Sequence, residues 1–355
     1  MGPWQALDQS RNGWCGRLSQ WIGTANKSYA SYAMEELRRQ FEGISITQLS
    51  PGEAFLFEVP LEQEAVLASI KAEQPIFLRH LQPVDAVRSI SADADDLDWL
   101  SDWIRLSRGK LEGKRAGVHV RKAEGSPYPY SAADTKAVAA AMLEQCGAEP
   151  EQKHTEILVA VYASRDTLYA GIGTPAEMLS DWPGGAVRFQ KEEGQISRAK
   201  FKLLEAEREF GLDYASFRNA VDIGAAPGGW TSLLLERGLR VTAIDPAELH
   251  PSLLAYRTLT VLRKNAAEVS FQPGAFDLLV CDMSWSPMQM TKLVLDLVPA
   301  LQQGGTAIVT VKLMHRKPLQ TIREVKSRLS AAFDILGARQ LFHNREEMTL
   351  YLKKK

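Results

Sequence analysis

The sequence predicts an α/β fold: a doubly wound, mostly parallel sheet in the second half of the chain, preceded by smaller α+β modules. From residue 219 to the end, short apolar runs alternate with helical patterns, as in parallel sheets covered by helices on both faces. Before residue 182, strand and helix patterns come in short units separated by polar stretches. With 355 residues, 45% of them hydrophobic, the chain is long for one compact domain, so we expect two or three.

The strands and helices of the second half follow from its apolar runs. The predicted strands are Ala220–Ile223, Arg240–Ile244, Phe276–Cys281, Thr306–Val311 and Met348–Leu352. The predicted helices are Gly229–Arg237, Gln289–Leu301 and Leu319–Ala332. We expect Gly304 and Gly305 to close the second helix, because the residue after a helix often adopts a positive φ.

The first half carries the patterns of two modules. Its predicted elements are a helix over Tyr29–Phe41, a strand over Ala54–Val59, a strand over Gly117–Arg121, a helix capped by Ser131 and running through Gln145, and a hairpin of Glu156–Tyr162 with Thr167–Ile172. The stretch Trp182–Gly185 is typical of a linker. We therefore expect domains over residues 1–95, 96–181 and 182–355.

Composition excludes several classes of protein. The net charge is −1, so any contact with a nucleic acid must come from local basic patches. The three cysteines lie far apart without CxxC spacing, and the six histidines show no ligand spacing, so we expect neither disulfides nor a metal site. No apolar run approaches the roughly 20 residues that span a bilayer, and the N-terminus lacks a signal-peptide pattern. We expect a cytoplasmic protein with no membrane partner.

A glycine-rich turn follows the first predicted strand of the second half. Its candidate ligand-binding residues are Gly224, Ala226, Pro227, Gly228, Gly229 and Trp230, with Asp245 at the end of the next strand. A Walker loop is excluded because the Gly-Lys-Ser/Thr ending is missing. The side chain of Ala226 would crowd a pyrophosphate, whereas S-adenosylmethionine carries no phosphate. Asp245 is placed to accept hydrogen bonds from a ribose; the alternative is a tight turn with a helix cap.

Five motifs in one order carry a family resemblance. They are Ser197–Leu203, Asp222–Trp230, Cys281–Met283, Val311–Leu313 and Asn344–Glu347. With them, the second half resembles the FtsJ-like 2′-O-ribose methyltransferases, and within these the ribosomal RNA large-subunit methyltransferase M (RlmM) family. The resemblance implies a Rossmann-like class I methyltransferase domain with a seven-stranded sheet, S-adenosylmethionine as cofactor, and a catalytic tetrad of Lys202, Asp282, Lys312 and Glu347.

The chemistry gives independent reasons for these residue types. A ribose hydroxyl is a poor nucleophile, so attack on a sulfonium methyl group needs a base beside it, and lysine can serve only when neutral. We expect Lys312 to be the base and Asp282 to orient it near the sulfonium, with Lys202 and Glu347 positioning the ribose. Taken singly, each is more often a solvated loop residue. Strand alternation lets only one of Glu346 and Glu347 face the site, and the family resemblance favours Glu347.

The first half is similar to a THUMP domain preceded by a ferredoxin-like segment, which implies an RNA partner, and the resemblance to the RlmM family favours large-subunit ribosomal RNA over transfer RNA. Predicted RNA contacts are Arg105, Arg108, Lys110, Lys114, Arg115, Arg121 and Lys122, then Arg198, Lys200, Arg316 and Lys317. We call residues 105–122 the basic stretch; the alternative for it is a solvated face. Trp103, Tyr128 and Tyr130 are suited either to base stacking or to local packing.

Two other functions compete with ribose methylation. The first is RNA base methylation, with Asp282–Trp285 as a degenerate motif for an extruded base, although both prolines of that motif are missing. The second is a non-catalytic RNA-binding or assembly factor that keeps the cofactor fold. Neither needs two lysines and two acids at strand ends.

Asn265 lies where many relatives carry an acid that contacts adenine, and its amide is a substitute hydrogen-bonding group.

Overall fold

The computed structural model describes residues 18–191, 193–313 and 317–355. The chain divides into two compact units, Met1–Ala186 (unit 1) and Val187–Lys355 (unit 2). Arg316, one of the predicted RNA contacts, lies outside the described residues.

Unit 1 begins with a four-stranded antiparallel sheet covered by two helices. Its elements are β1 (Ser19–Thr24), α1 (Ala30–Gln40), β2 (Ser45–Ser50), β3 (Ala54–Val59), α2 (Gln63–Ala72) and β4 (His80–Pro83). The strand order is β2-β3-β1-β4. The predicted strand β3 is confirmed, and its alternation buries Phe55, Phe57 and Val59.

A second sheet of unit 1 has five strands. Its elements are β5 (Ala86–Ser89), α3 (Asp95–Leu106), α4 (Arg108–Leu111), β6 (Arg115–Lys122), α5 (Ala132–Gln145), β7 (Glu149–Pro150), β8 (Ile157–Ala163) and β9 (Thr167–Gly173). The order is β5-β9-β8-β6-β7. Ser131 caps α5 as predicted, in a reciprocal capping box with Asp134. The predicted hairpin is also confirmed, since β8 and β9 pair antiparallel.

The structure refines one expectation for unit 1 and decides one open alternative. Trp182–Gly185 is no free linker, because the buried Gly184 accepts hydrogen bonds at its carbonyl from Thr24 Oγ1 at 2.9 Å and from Arg79 Nε at 2.8 Å. Trp103 and Tyr128 are buried core residues, so local packing wins over base stacking.

Unit 2 is built on one mixed sheet of seven strands, as the resemblance implies. Its elements are α6 (Lys200–Glu209), β10 (Asn219–Ile223), α7 (Gly229–Glu236), β11 (Arg240–Ile244), β12 (Leu259–Leu262), β13 (Phe276–Cys281), α8 (Pro287–Leu297), β14 (Leu301–Lys312), α9 (Pro318–Leu329), β15 (Phe333–Arg339) and β16 (Glu347–Lys354). The order is β12-β11-β10-β13-β14-β16-β15. The strands from β10 to β14 pair parallel, and β16 is antiparallel to both of its neighbours.

The predicted role of the paired glycines is wrong. Helix α8 ends at Leu297, and Gly304 and Gly305 lie inside β14. The pairing of β14 with β13 shifts register here, and Gly304 has a φ of +68°. The glycines therefore form a bulge in a strand. A bulge, like a helix end, accommodates a residue with positive φ.

The strand order puts a ligand crevice at the middle of the sheet. β10 pairs with β11 on one side and with β13 on the other. From β10 the chain adds β11 and β12 toward one edge of the sheet, and it then returns to add β13 and β14 on the other side of β10. In open parallel sheets, ligands bind at such a switch point, beyond the carboxyl ends of the strands. Gly224 follows β10 and Asp282 follows β13 at this edge.

Candidate functional site

Two glycines of the turn after β10 are required by close packing. Gly224 has a φ of +76°, and a Cβ there would lie 2.5 Å from Met283 Cγ. Gly228 has a φ of +114°, and a Cβ there would lie 2.2 Å from Leu253 Cδ1. L-residues rarely adopt such φ values, and both spaces are closed to a side chain. The turn therefore lies directly against the residues that follow β13.

Asp245 organises the same turn from the neighbouring strand. Its Oδ2 accepts a hydrogen bond from the backbone N–H of Ala226 at 3.1 Å, and its Oδ1 accepts one from Ala247 at 2.8 Å. Each carboxylate oxygen can accept a further bond. The predicted ribose acceptor is thus held in place beside the glycine turn.

The remaining predicted cofactor residues differ in placement. Gly229 begins α7 and faces Ser197. Trp230 is buried, and its indole N–H donates to the Ala199 carbonyl at 2.8 Å, so the ring packs inside unit 2. Asn265 is exposed, and its Oδ1 caps a turn by accepting from Ala267 N–H at 3.0 Å, which leaves the amide NH₂ as its hydrogen-bond donor.

Three of the four predicted catalytic residues form one ion-pair network. Lys202 Nζ lies 3.1 and 3.2 Å from the two oxygens of Asp282 and 2.7 Å from Glu347 Oε1. Thr310 Oγ1 donates to Asp282 Oδ1 at 2.7 Å, and Arg345 N–H donates to Glu347 Oε2 at 2.8 Å. Residues separated by up to 145 positions in sequence therefore meet at the carboxyl edge of the sheet.

The network fixes the protonation of its members. Burial lowers the pKa of Lys202, but the charge of Asp282 and the hydrogen bond to Glu347 outweigh it, so the net pKa is raised. Burial raises the pKa of Glu347, but the hydrogen bond and charge of Lys202 outweigh it, so the net pKa is lowered. Near neutral pH, Lys202 is a cation and Glu347 an anion.

Lys312 lies next to this network without an ion pair to it. Its Cα is paired with that of Glu347 across β14 and β16, and directly opposite residues project on the same face of a sheet. Its side chain is exposed. Glu347, rather than the exposed Glu346, contacts Lys202.

Sequence reasoning missed a buried acid beneath the turn. Asp222, on β10, is 1% exposed and accepts a 2.6 Å hydrogen bond from Thr231 Oγ1. Burial raises its pKa, the bond from Thr231 lowers it, and the charges of Asp282 and Asp245 raise it again, to about 7. Its position inside an apolar strand was the available signal, because a carboxylate is almost never fully buried unless it is paired.

Most cations of the basic stretch have partners. The ion pairs are Arg105 with Asp102, Arg108 with Glu112, Lys110 with Asp85, Arg115 with Glu156 and Arg121 with Glu53. Lys122 Nζ donates to the Tyr128 carbonyl. Lys114 is exposed and has no ion pair within 4.0 Å among the described residues. The side chain of Arg121 is 20% exposed and lies over the ring of Tyr162, so it is the least accessible of this set.

The basic residues of unit 2 that were predicted to contact RNA differ in their exposure to solvent. Arg198 and Lys317 are exposed. Lys200 is 5% exposed, and its Nζ lies 2.8 and 3.1 Å from the carboxylate oxygens of Glu236. Its ammonium therefore points into unit 2, which does not fit the predicted contact with RNA.

Within residues 18–191, 193–313 and 317–355, no group of three or more His, Cys, Asp and Glu side chains is arranged to hold a metal ion. In the same part of the chain, no helix has the length and apolar character that crossing a bilayer requires.

Comparisons with known proteins point to one family. The sequence profile of the FtsJ-like methyltransferases matches residues 195–342. A ribosomal RNA large subunit methyltransferase M of Halorhodospira halophila is 37% identical over 195 residues, which cover 52% of this chain and 54% of the relative. The enzyme of that name from Methylococcus capsulatus is 34% identical over 254 residues, covering 68% of this chain and 67% of the relative.

The extent of these matches is limited. Over the first several relatives, the matched region spans about half of each relative's length, for example 51% of the protein from Azoarcus sp.. Among solved structures, TrmN from Thermus thermophilus covers 95% of this chain and 100% of its own, with 17% identity and a TM-score of 0.40, which is too low a similarity to carry an argument.

Proposed function

Because this chain belongs to the FtsJ-like methyltransferases, in the family of the ribosomal RNA large subunit methyltransferase M, we propose that it methylates a ribose 2′-hydroxyl of large-subunit ribosomal RNA. The cofactor of the family is S-adenosylmethionine. The observation that carries the proposal is the contact of Lys202 with both Asp282 and Glu347 beside the glycine turn.

The residues around the turn fit an adenosylmethionine. Gly224 and Gly228 keep the turn free of side chains where the backbone approaches neighbouring groups, and Asp245 offers carboxylate oxygens to a ribose. The bound cofactor supplies a methyl group already activated by its sulfonium. Asp282 follows β13 at this edge, where its negative charge stabilises a nearby positive one.

Lys312 is the base in this proposal, and Lys202 is a fixed cation. Two carboxylates hold Lys202 protonated, so its Nζ cannot accept a proton but can orient Glu347 and Asp282. Lys312 makes no such pair with any residue that the structure describes, and it projects on the same face as Glu347. In this proposal the Nζ of Lys312 takes the proton of the 2′-hydroxyl, and a bound S-adenosylmethionine would supply the methyl group and be left as S-adenosylhomocysteine when its sulfur–methyl bond breaks.

Unit 1 is assigned to RNA binding. Its first sheet has the βαββαβ order of ferredoxin-like folds, which supports the ferredoxin-like module, and the sheet with α5 and the β8–β9 hairpin supports the THUMP-like one. The exposed cations for phosphate contacts are Arg105, Arg108, Lys110, Lys114, Arg115, Lys122, Arg198 and Lys317.

The test is methyl transfer to ribosomal RNA from cells that lack the gene. With isotopically labelled S-adenosylmethionine, nucleosides from digested RNA are separated by mass spectrometry. We expect one 2′-O-methylated nucleotide from the wild type and a loss of about 100-fold or more in rate for Lys312→Ala. Lys353→Ala, which removes an exposed lysine from the far end of β16, is the matched control and should keep the wild-type rate.

Two results would contradict the proposal. A methyl group found on a base atom, or a rate that survives Lys312→Ala, would indicate a base methyltransferase. Binding of S-adenosylmethionine without turnover on any ribosomal RNA would indicate a non-catalytic factor.

A further inference from the structure

Four rings of unit 2 form an aromatic cluster that the proposed chemistry does not use. Its members are Phe189, Phe201, Phe342 and His343. The ring of His343 lies 5.3 Å from Phe189 and 5.3 Å from Phe201, and it meets Phe342 edge-on at 5.2 Å. Phe189 and Phe201 stack on each other at 5.6 Å with an interplanar angle of 29°.

The aromatic cluster lies at the surface. All four residues are half-buried, whereas the core of the described part of unit 2 is built from residues such as Leu203 and Leu233. The four adjoining rings are inclined to one another by 27° to 82°, and part of their apolar surface is in contact with water, which monomeric proteins usually keep small. A surface of this kind calls for a ligand with a flat apolar face.

A buried carboxylate holds the cluster in position. Glu205, which is 5% exposed, accepts hydrogen bonds from the backbone N–H of Phe342 at 2.7 Å and of His343 at 2.9 Å. Its Oε2 also lies 2.7 Å from His343 Nδ1. The segment 342–343 is therefore fixed to α6, and the imidazole is held in one orientation before any ligand arrives.

The cluster and the ion-pair network share the same two segments. Phe201 directly precedes Lys202 on α6, so their Cα atoms are about 3.8 Å apart. His343 and Glu347 lie on the segment that returns into β16, and Lys202 Nζ contacts Glu347 at 2.7 Å. The aromatic cluster and the ion-pair network are therefore carried by the same two stretches of backbone, α6 and the segment before β16.

We propose that the aromatic cluster is a stacking platform for an unpaired base of the RNA, at the target nucleotide or its immediate neighbour. The identity of the ligand as RNA rests on the proposed function. In a ribonucleotide, the carbon that carries the 2′-hydroxyl is bonded to the carbon that carries the base, so a ribose at the network brings a base close by. Aromatic rings stack on any base, and proteins use them to hold single-stranded RNA.

The experiment compares two oligomers of ten nucleotides, an oligoadenylate and an abasic ribose-phosphate chain. Both offer the same phosphates, but only the first offers bases. Affinities are measured by fluorescence anisotropy for the full chain, for Phe189→Leu, for Phe189→Trp and for Phe271→Leu. Phe271 is the matched control, a half-buried phenylalanine just before β13, at the other edge of the sheet. The affinity for S-adenosylmethionine reports whether each variant is folded.

We expect the wild type to prefer oligoadenylate over the abasic chain by about tenfold to a hundredfold. Phe189→Leu should reduce that preference by about tenfold or more without changing the affinity for the abasic chain. Phe189→Trp should restore it, since the larger ring keeps a stacking face, and Phe271→Leu should keep it.

The platform is overturned if Phe189→Leu weakens binding of both oligomers equally while S-adenosylmethionine still binds, or if it leaves the preference intact. These outcomes do not depend on turnover. A chain that discriminates bases but transfers no methyl group to ribose would refute the proposed function and keep the platform.

Discussion

The ion-pair network of unit 2 and the basic stretch of unit 1 contain the same residue types in opposite settings. In the network, the side chains of Lys202, Asp282 and Glu347 are only 15%, 17% and 22% exposed, and one ammonium contacts two carboxylates. In the basic stretch, Arg105 and Arg108 are 59% and 57% exposed, and each pairs with one acid of its own helix or the next turn. Burial, rather than charge, separates the two regions.

The difference explains why one set of charges is suited to chemistry and the other to adjustable contacts. Water screens an exposed pair, which can exchange its partner for a phosphate at little cost. A desolvated ammonium between two carboxylates is held in one geometry. If one of these charged side chains moved away, its partner would remain as an unpaired charge in a poorly solvated place. The network is therefore preorganised, whereas the basic stretch is free to respond to a ligand.

The largest effect is expected for Lys202→Met, which leaves the carboxylates of Asp282 and Glu347 without their cation. We expect methyl transfer to fall by about 100-fold to 10,000-fold. The free energy of unfolding should fall by about 3 kcal/mol, because one partner of a buried pair is gone. The rate of methyl transfer and the urea unfolding curve of the variant measure these two effects. A variant with wild-type stability would show that the network is not held by desolvated charges.

The next effect concerns the pH dependence of unit 2. The pKa of Asp222 is raised to about 7, above its value in the unfolded chain. Its contribution to the free energy of unfolding is therefore fully present at low pH and is lost as pH rises from about 4 to about 7. The loss amounts to roughly 4 kcal/mol at most. Asp222→Asn keeps an acceptor for Thr231 and should remove this loss. Hydrogen exchange of unit 2 at pH 5 and pH 8 is the measurement, and an unchanged pH profile would contradict the assignment.

Unit 1 should respond to pH with the opposite sign. Burial, opposed only in part by the Asp181 carbonyl, lowers the pKa of His119 to about 4, below its unfolded value. The contribution of His119 to the free energy of unfolding is fully present above about pH 6.5. It is lost as pH falls toward 4, by roughly 3 kcal/mol at most. His119→Gln should weaken the acid sensitivity of unit 1, while His80, whose pKa is also lowered by burial, retains a share. Hydrogen exchange of unit 1 between pH 7 and pH 4.5 tests this.

The smallest effect distinguishes two exposed cations of the basic stretch. Lys114 forms no ion pair within 4.0 Å among the described residues, whereas Arg108 is paired with Glu112 at 2.7 Å. Lys114→Ala should lower the slope of RNA affinity against salt concentration by about 0.7 to 0.9, the value of one phosphate contact. Arg108→Ala should change the slope less and leave the urea unfolding curve within error. Equal slopes for both variants would show that pairing does not limit phosphate binding here.

Much of unit 2 could be predicted because its strands are buried on both faces. Asn219–Ile223, Arg240–Ile244 and Phe276–Cys281 are short, mainly apolar runs rich in Val, Ile, Leu and Ala, so the sequence marks them directly. The edge strands Leu259–Leu262 and Phe333–Arg339 were not predicted, since partly exposed strands mix polar residues and glycine into the run. Gly304 and Gly305 were assigned to a helix end because a bulge and a helix end favour glycine for the same reason.

The candidate site was predictable as a set of residues but not as a geometry. Order along the chain suggested that Lys202, Asp282 and Glu347 belong together, yet it could not say that Lys202 would contact both acids and Lys312 neither. Burial of Lys200 and the long-range pairing of Arg121 with Glu53 depend on contacts between distant segments, which local pattern does not encode. The aromatic cluster was missed for that reason also.

The antiparallel pairing of Lys312 with Glu347 has a consequence for the length of the chain between β15 and β16. A slip of one residue would turn Glu347 to the opposite face of the sheet and bring the buried Met348 among the charges. Insertion or deletion of a single residue in segment 340–346 is therefore harmful even where the individual side chains can be exchanged. The spacing of this segment is under tighter constraint than its composition.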